Sequence, residues 1–157
     1  MTTTPLNLHW PTEEDTASAA RAIGASLYPG DVLLLDGDVG AGKTHFARSL
    51  IQSLLNAPED VPSPTFTLVQ IYETKNGPLW HTDLYRISTD SEIDELGLFD
   101  AFDTAICLVE WPDRLGNMAP KHALTISIQP QGDARSAELS WTDARWDKRL
   151  GEVAYRD

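Results

Sequence analysis

Residues 37–44 read GDVGAGKT, three glycines, a lysine and a threonine within eight positions. Wrapping a phosphate chain in main-chain N–H groups needs close approach and backbone angles that glycine tolerates. Gly37, Gly42, Lys43 and Thr44 satisfy the G-x-x-x-x-G-K-[ST] spacing of a phosphate loop. The candidate contacts to a nucleoside triphosphate are therefore Gly37, Asp38, Val39, Gly40, Ala41, Gly42, Lys43, Thr44 and the adjoining His45. In that motif the lysine, Lys43, reaches the β- and γ-phosphates and the hydroxyl of Thr44 ligates Mg²⁺. The alternative, an ordinary turn between a strand and a helix, does not call for this combination.

A magnesium-bound triphosphate also needs an acid at the end of a neighbouring apolar strand. Glu110, which closes AICLVE, is the metal-side candidate; the competing reading is a solvated strand end. Asp83, in HTDLYR, is a candidate to orient the attacking water, or else a partner for Arg86 or another base. Thr65, in SPTF, has the position of a switch threonine or is a plain strand residue. Trp111 follows Glu110 and is either core or cover for the site. The four histidines, His9, His45, His81 and His122, show no metal-ligand spacing.

These residues need a scaffold. Val32 to Leu35 form an apolar run of the kind buried on both faces of a parallel sheet, and it leads into the glycine loop. The apolar positions of the segment after the loop (Phe46, Leu50, Ile51, Leu54, Leu55) have helical spacing. LNLHW predicts a first edge strand. Thr12, with Asp15 three residues on, predicts a capped helix reaching Tyr28-Pro29-Gly30. PTFTLVQIYE and PLWHTDLYRI predict a hairpin turning at Lys75–Gly77, with Thr82, Leu84 and Arg86 on one side and His81, Asp83 and Tyr85 on the other. One or two short helices, the buried strand AICLVE and a short helix at DRLGNM follow. A second hairpin, ALTISIQP and SAELSW, is joined by QGDAR, and a terminal helix docks through Trp146 and Leu150. The order predicts an α/β fold: a mixed sheet with a parallel core, antiparallel additions and helices on both faces. One domain is expected over residues 1–157, with 131–157 a variable tail holding an edge strand and a helix.

The chain has 157 residues, 41% hydrophobic and 23% charged, an ordinary globular composition. Its net charge is −12, which disfavours direct gripping of a polynucleotide. The opening residues lack the basic and apolar regions of a secretory leader, and the single cysteine, Cys107, forms no intrachain disulfide; a cytoplasmic setting is expected. Three rivals to a hydrolase stay open. A small-molecule kinase would need an arginine-rich lid, and only Arg48 and Arg86 lie between the loop and Glu110. A GTPase would need an Asn-Lys-x-Asp segment, which the sequence lacks. A module that binds nucleotide without cleaving it is the third.

Together GDVGAGKT, SPTFTLVQIYE, HTDLYRI, the ELG of Glu95–Gly97 and LVEWPDRLG resemble the TsaE (YjeE) family in order and spacing, over about residues 8 to 129. Val39, where the family has leucine, and His45, where it has a small or hydroxyl residue, are departures. The resemblance implies a P-loop ATPase, slow alone, of tRNA threonylcarbamoyladenosine synthesis. Its hydrolysis is stimulated by a TsaD–TsaB complex and sustains repeated turnover of that complex, which modifies tRNA beside the anticodon. It further implies ATP and Mg²⁺ as ligands, with Lys43 and the loop amides on phosphate and Thr44 and Glu110 on the metal. Thr65 would belong to a switch segment, Asp83 would orient water, and Trp111 would lie near the nucleotide and the partner surface. tRNA would be met only through the partners, without a membrane, and the isolated chain is expected as a monomer although the sequence sets no oligomeric state.

Overall fold

The computed structural model describes residues 5–38, 42–57, 59–62, 64 and 68–156. Among these residues seven strands form one sheet: β1 (Leu6–Trp10), β2 (Val32–Asp36), β3 (Val69–Thr74), β4 (Gly77–Asp83), β5 (Ile106–Glu110), β6 (Leu124–Gln131) and β7 (Ala134–Ser140). Their spatial order is β1-β7-β6-β2-β5-β4-β3. The centre is parallel, β6, β2, β5 and β4 running together; β3 and β7 pair antiparallel to its two sides, and β1 pairs antiparallel to β7. This is the mixed α/β sheet that the sequence predicts.

Among the described residues, five α-helices cover both faces: α1 (Glu13–Gly24), α2 (Lys43–Leu54), α3 (Asp90–Glu95), α4 (Leu98–Thr104) and α5 (Arg145–Arg156). The alternation of β2 and β5 divides the core between them. Leu33, Leu35, Ile106 and Leu108 pack with α1, α2 and the Trp146–Leu150 stripe of α5. Val32, Leu34, Cys107 and Val109 pack with α3 and α4. Two-sided burial is why both strands read as unbroken apolar runs.

Three expectations are corrected. Helix α1 carries the full Thr12–Asp15 capping box but ends at Gly24, short of Tyr28. Beyond it the chain is held by the β3–β4 turn, where Asn76 Nδ2 donates to the Leu27 carbonyl at 3.0 Å. Strand β7 is interior, because β1 pairs along it from Leu6↔Leu139 to Trp10↔Arg135. The edges are β1 and β3. The β6–β7 ladder continues to Gln131↔Ala134, so the turn is only Gly132 and Asp133. Among the described residues no helix is long and apolar enough to cross a membrane.

The C-terminal helix is fastened to the start of β2. Asp31, fully buried, accepts from Arg145 Nη1 at 3.1 Å and Arg149 Nη1 at 2.8 Å, and from the Tyr28 N–H at 2.9 Å. Trp146, also fully buried, donates its indole N–H to the His122 carbonyl at 2.8 Å.

Candidate functional site

Three parallel strands end at one level. Leu35 of β2 and Asp83 of β4 both stand opposite Glu110 of β5. The carboxyl ends of parallel strands are where open α/β sheets bind ligands. Here β2 continues into the glycine loop while β5 and β4 each present a carboxylate beside it. Their side chains project to the face covered by α2, whose first residue is Lys43.

The starts of α1 and α2, both on this face, differ in a telling way. The N-terminus of α1 is closed by Thr12 and surrounded by Glu13, Glu14 and Asp15. The N-terminus of α2 has no acidic residue in its first turn and no side-chain cap. Its N-cap is Gly42, at φ 108°, a conformation that L side chains rarely adopt. Free N–H groups, the positive end of a twelve-residue helix dipole and Lys43 thus converge on one spot, which suits a polyanion. Gly37, at the other end of the loop, has φ 146°. Asp38 is exposed. Val39, Gly40 and Ala41 lie outside the described residues, as does Thr65.

Lys43 is buried, and its Nζ donates to the Gly37 carbonyl and lies 3.5 Å from the centroid of the Trp111 ring. Burial pulls its ammonium below the ordinary lysine pKa; the nearby carboxylates of Glu110, Asp83, Asp36 and Asp38 pull the other way and recover part of the loss. Trp111 holds a left-handed backbone, φ 60° and ψ 55°, in which few non-glycine residues are found. That conformation turns the chain straight after Glu110 and lays the indole over Lys43. Tyr85 packs against it with ring centroids 4.7 Å apart. Trp111 thus lies over Lys43 and also packs against the α3–α4 side of the core.

Glu110 is buried and each of its oxygens has a partner. Oε1 accepts from Thr44 Oγ1 at 3.0 Å, and Oε2 contacts His81 Nε2 at 2.7 Å. A solvated strand end is thereby excluded. Asp83 is buried too, and its Oδ1 accepts the Tyr85 N–H at 2.8 Å, which fixes the carboxylate at the point where β4 turns away. Strand β4 ends there, short of the predicted PLWHTDLYRI; Leu84 nevertheless enters the α3–α4 layer, the Thr82 side where the alternation puts it, while Tyr85 is exposed.

Lys43, Thr44, Asp83, Glu110 and Trp111 thus meet at one place. His45 does not join them. Its Nε2 contacts the Glu13 carbonyl at 3.0 Å, tying α2 to the start of α1. The residue that sequence reasoning passes over is His81, fully buried against Glu110. Its signal was weak: it shares a face with Asp83 two positions along, but its partner is 29 positions away.

Among the described residues, no three His, Cys, Asp or Glu side chains are arranged to hold a metal ion. A divalent cation beside Thr44 and Glu110 would draw its remaining ligands from phosphate and water, as magnesium sites built with few protein donors do.

A family model described as "Threonylcarbamoyl adenosine biosynthesis protein TsaE" matches residues 10–137. A tRNA threonylcarbamoyladenosine biosynthesis protein TsaE of Bacillus subtilis is 40% identical over 154 residues, covering 96% of each chain. The protein of that name from Rickettsia felis is 42% identical over 113 residues, 72% of this chain. That match spans 63% of the Rickettsia protein's length. The crystal structure of YdiB from Bacillus subtilis superposes with a TM-score of 0.80 at 30% identity, covering 100% of this chain and 98% of the other. The chain belongs to the TsaE family.

Proposed function

We propose that this protein is a magnesium-dependent ATPase that sustains multiple turnover of a TsaD–TsaB complex in threonylcarbamoyladenosine modification of tRNA beside the anticodon. The observation that carries the reading is the Thr44–Glu110 hydrogen bond of 3.0 Å at the mouth of the glycine loop. It joins the hydroxyl that follows the phosphate-loop lysine to an acid on the adjacent parallel strand, the pair that P-loop enzymes use for Mg²⁺. The donor set fits that ion: a hydroxyl and a carboxylate, both hard oxygen ligands. When bound there, Mg²⁺ would neutralise charge on the β- and γ-phosphate oxygens.

The chain's own residues divide the remaining work. The α2 amides and Lys43 bind the phosphates, for which Lys43 exchanges the Gly37 carbonyl for a phosphate oxygen. Asp83, held by the Tyr85 N–H, orients a water toward the γ-phosphorus and takes up its proton as the new P–O bond forms and the β,γ-bridge bond breaks. Trp111 and Tyr85 shield this side of the loop from bulk water. Thr65, in the SPTF segment, is the proposed sensor of the γ-phosphate. Residues 1–157 would act as one P-loop domain in the cytoplasm, meeting tRNA only through protein partners, in keeping with the net charge of −12.

Phosphate release measured alone and with TsaD–TsaB and tRNA tests the reading. Slow release that the complex accelerates is expected. Asp83→Asn should lower the rate by about 10²- to 10⁴-fold, the usual worth of a positioned base, with ATP affinity kept. Release unaffected by the complex, or unchanged in Asp83→Asn, would overturn it.

A further inference from the structure

Glu110 has two oxygens, and they are not equivalent. Oε1 faces Thr44, on the loop side. Oε2 is taken by a residue from the next strand, His81, whose ring is wholly inaccessible to solvent. In the β4–β5 register His81 stands opposite Leu108 and Asp83 opposite Glu110. His81 therefore sits one pleat deeper than Glu110, on the same face of the neighbouring strand, and reaches it diagonally.

The hydrogen-bond inventory fixes the sense of the contact. An ionised carboxylate only accepts, so Nε2 must carry the proton at 2.7 Å. The other ring nitrogen, Nδ1, is buried and has no partner among the described residues. Leaving a buried polar atom unsatisfied is costly, and a ring needed for packing alone would be better served by leucine or phenylalanine. What histidine adds is one N–H aimed at Glu110. Without it, Oε2 would be a buried carboxylate oxygen lacking a donor, and the carboxylate would be free to rotate Oε1 away from Thr44.

On the reading of this site as a magnesium–ATP site, we propose that His81 is the positioning residue of Glu110: its Nε2–H holds Oε2 so that Oε1 stays directed at the Thr44 hydroxyl and the cation beside it. Partners that orient a metal-side ligand typically contribute about 10- to 100-fold in metal affinity.

Three variants separate this role from packing. The amide nitrogen of Gln reaches about where Nε2 lies, that of Asn about where Nδ1 lies, and Leu has no donor. Mn²⁺ affinity is read by paramagnetic resonance with the full chain and a non-hydrolysable ATP analogue. Binding of the same analogue is measured in EDTA, and melting midpoints are recorded. The expected result is that His81→Gln stays within about threefold of the unsubstituted protein, while His81→Asn and His81→Leu lose about 10- to 100-fold in Mn²⁺ affinity. Analogue affinity in EDTA should be equal in all four. The inference is overturned if Asn matches Gln, if Leu keeps full Mn²⁺ affinity, or if losses follow melting midpoint alone. The Gln–Asn comparison decides the matter even if the Leu variant fails to fold. Absence of analogue binding by the unsubstituted protein would instead sink the ATP reading, and this inference with it.

Discussion

Thr44 and Glu110 lie 66 positions apart in the chain, yet Thr44 Oγ1 donates to Glu110 Oε1 at 3.0 Å. The bond exists because β5 runs parallel to β2 with Glu110 beside Leu35, while β2 hands the chain directly to the loop and α2. Thr44→Ala removes the hydroxyl and leaves one oxygen of a buried carboxylate without its donor; Thr44→Ser restores it. Turnover of the alanine variant is expected to need at least tenfold more Mg²⁺. The serine variant should behave like the original. A magnesium titration of phosphate release checks both.

Lys43 shows the cost of preparing such a site. Burial is the larger influence on its ammonium and depresses the pKa in the folded chain below the ordinary 10.5. Folding therefore disfavours the charged form. The penalty is complete below the folded pKa and fades as pH rises through that value toward 10.5 and beyond. Lys43→Met should accordingly raise the melting midpoint of the nucleotide-free protein at pH 7, while abolishing ATP binding. The gain should shrink in melts taken above pH 10. A lower midpoint in the variant at pH 7 would contradict this assignment.

The clamp on Asp31 makes a prediction far from the chemistry. Two arginines of α5 converge on this fully buried carboxylate. Breaking a fully buried ion pair costs about 3–5 kcal/mol; here Arg145 keeps Asp143 and both arginines reach solvent, so about 1–3 kcal/mol is expected. Asp31→Ala should lose that much in urea unfolding. Amide exchange should rise along 145–156 before it rises in β2, because α5 is then held mainly by Trp146 and Leu150.

Cys107 should be silent. It is wholly buried in β5, and desolvation pushes its thiol up to about 12. A disulfide reagent at pH 8 should label none of the native protein and one thiol per chain in denaturant. The sign for stability follows: the folded state keeps the proton that the unfolded chain releases near pH 9, so stability falls between about pH 9 and 12.

How much of this the sequence discloses depends on the range of each interaction. The phosphate loop is local, so its eight residues announce themselves, and two-sided burial makes β2 and β5 legible as apolar runs. Glu110 and Asp83 can be nominated from strand-end position. Their company cannot, because it depends on which strands are neighbours and in what register. His81 looks unremarkable until β4 is laid beside β5. Strand β7 looks terminal until β1, from the far end of the chain, pairs with it. Helix α1 looks longer than it is; the Leu27 carbonyl, past its end, accepts from Asn76, 49 positions away. Asp31 gives no hint of its two arginines, which arrive from 114 and 118 positions away.

The most direct test of the account is a calorimetric titration of ATP into the full chain, with magnesium and again in EDTA, repeated for Glu110→Gln. Saturable binding at sub-millimolar ATP is expected. Magnesium should tighten it in the unsubstituted protein and do so much less in the Glu110 variant. A chain that takes up no ATP at millimolar concentration, or one whose affinity ignores both magnesium and Glu110, would contradict it.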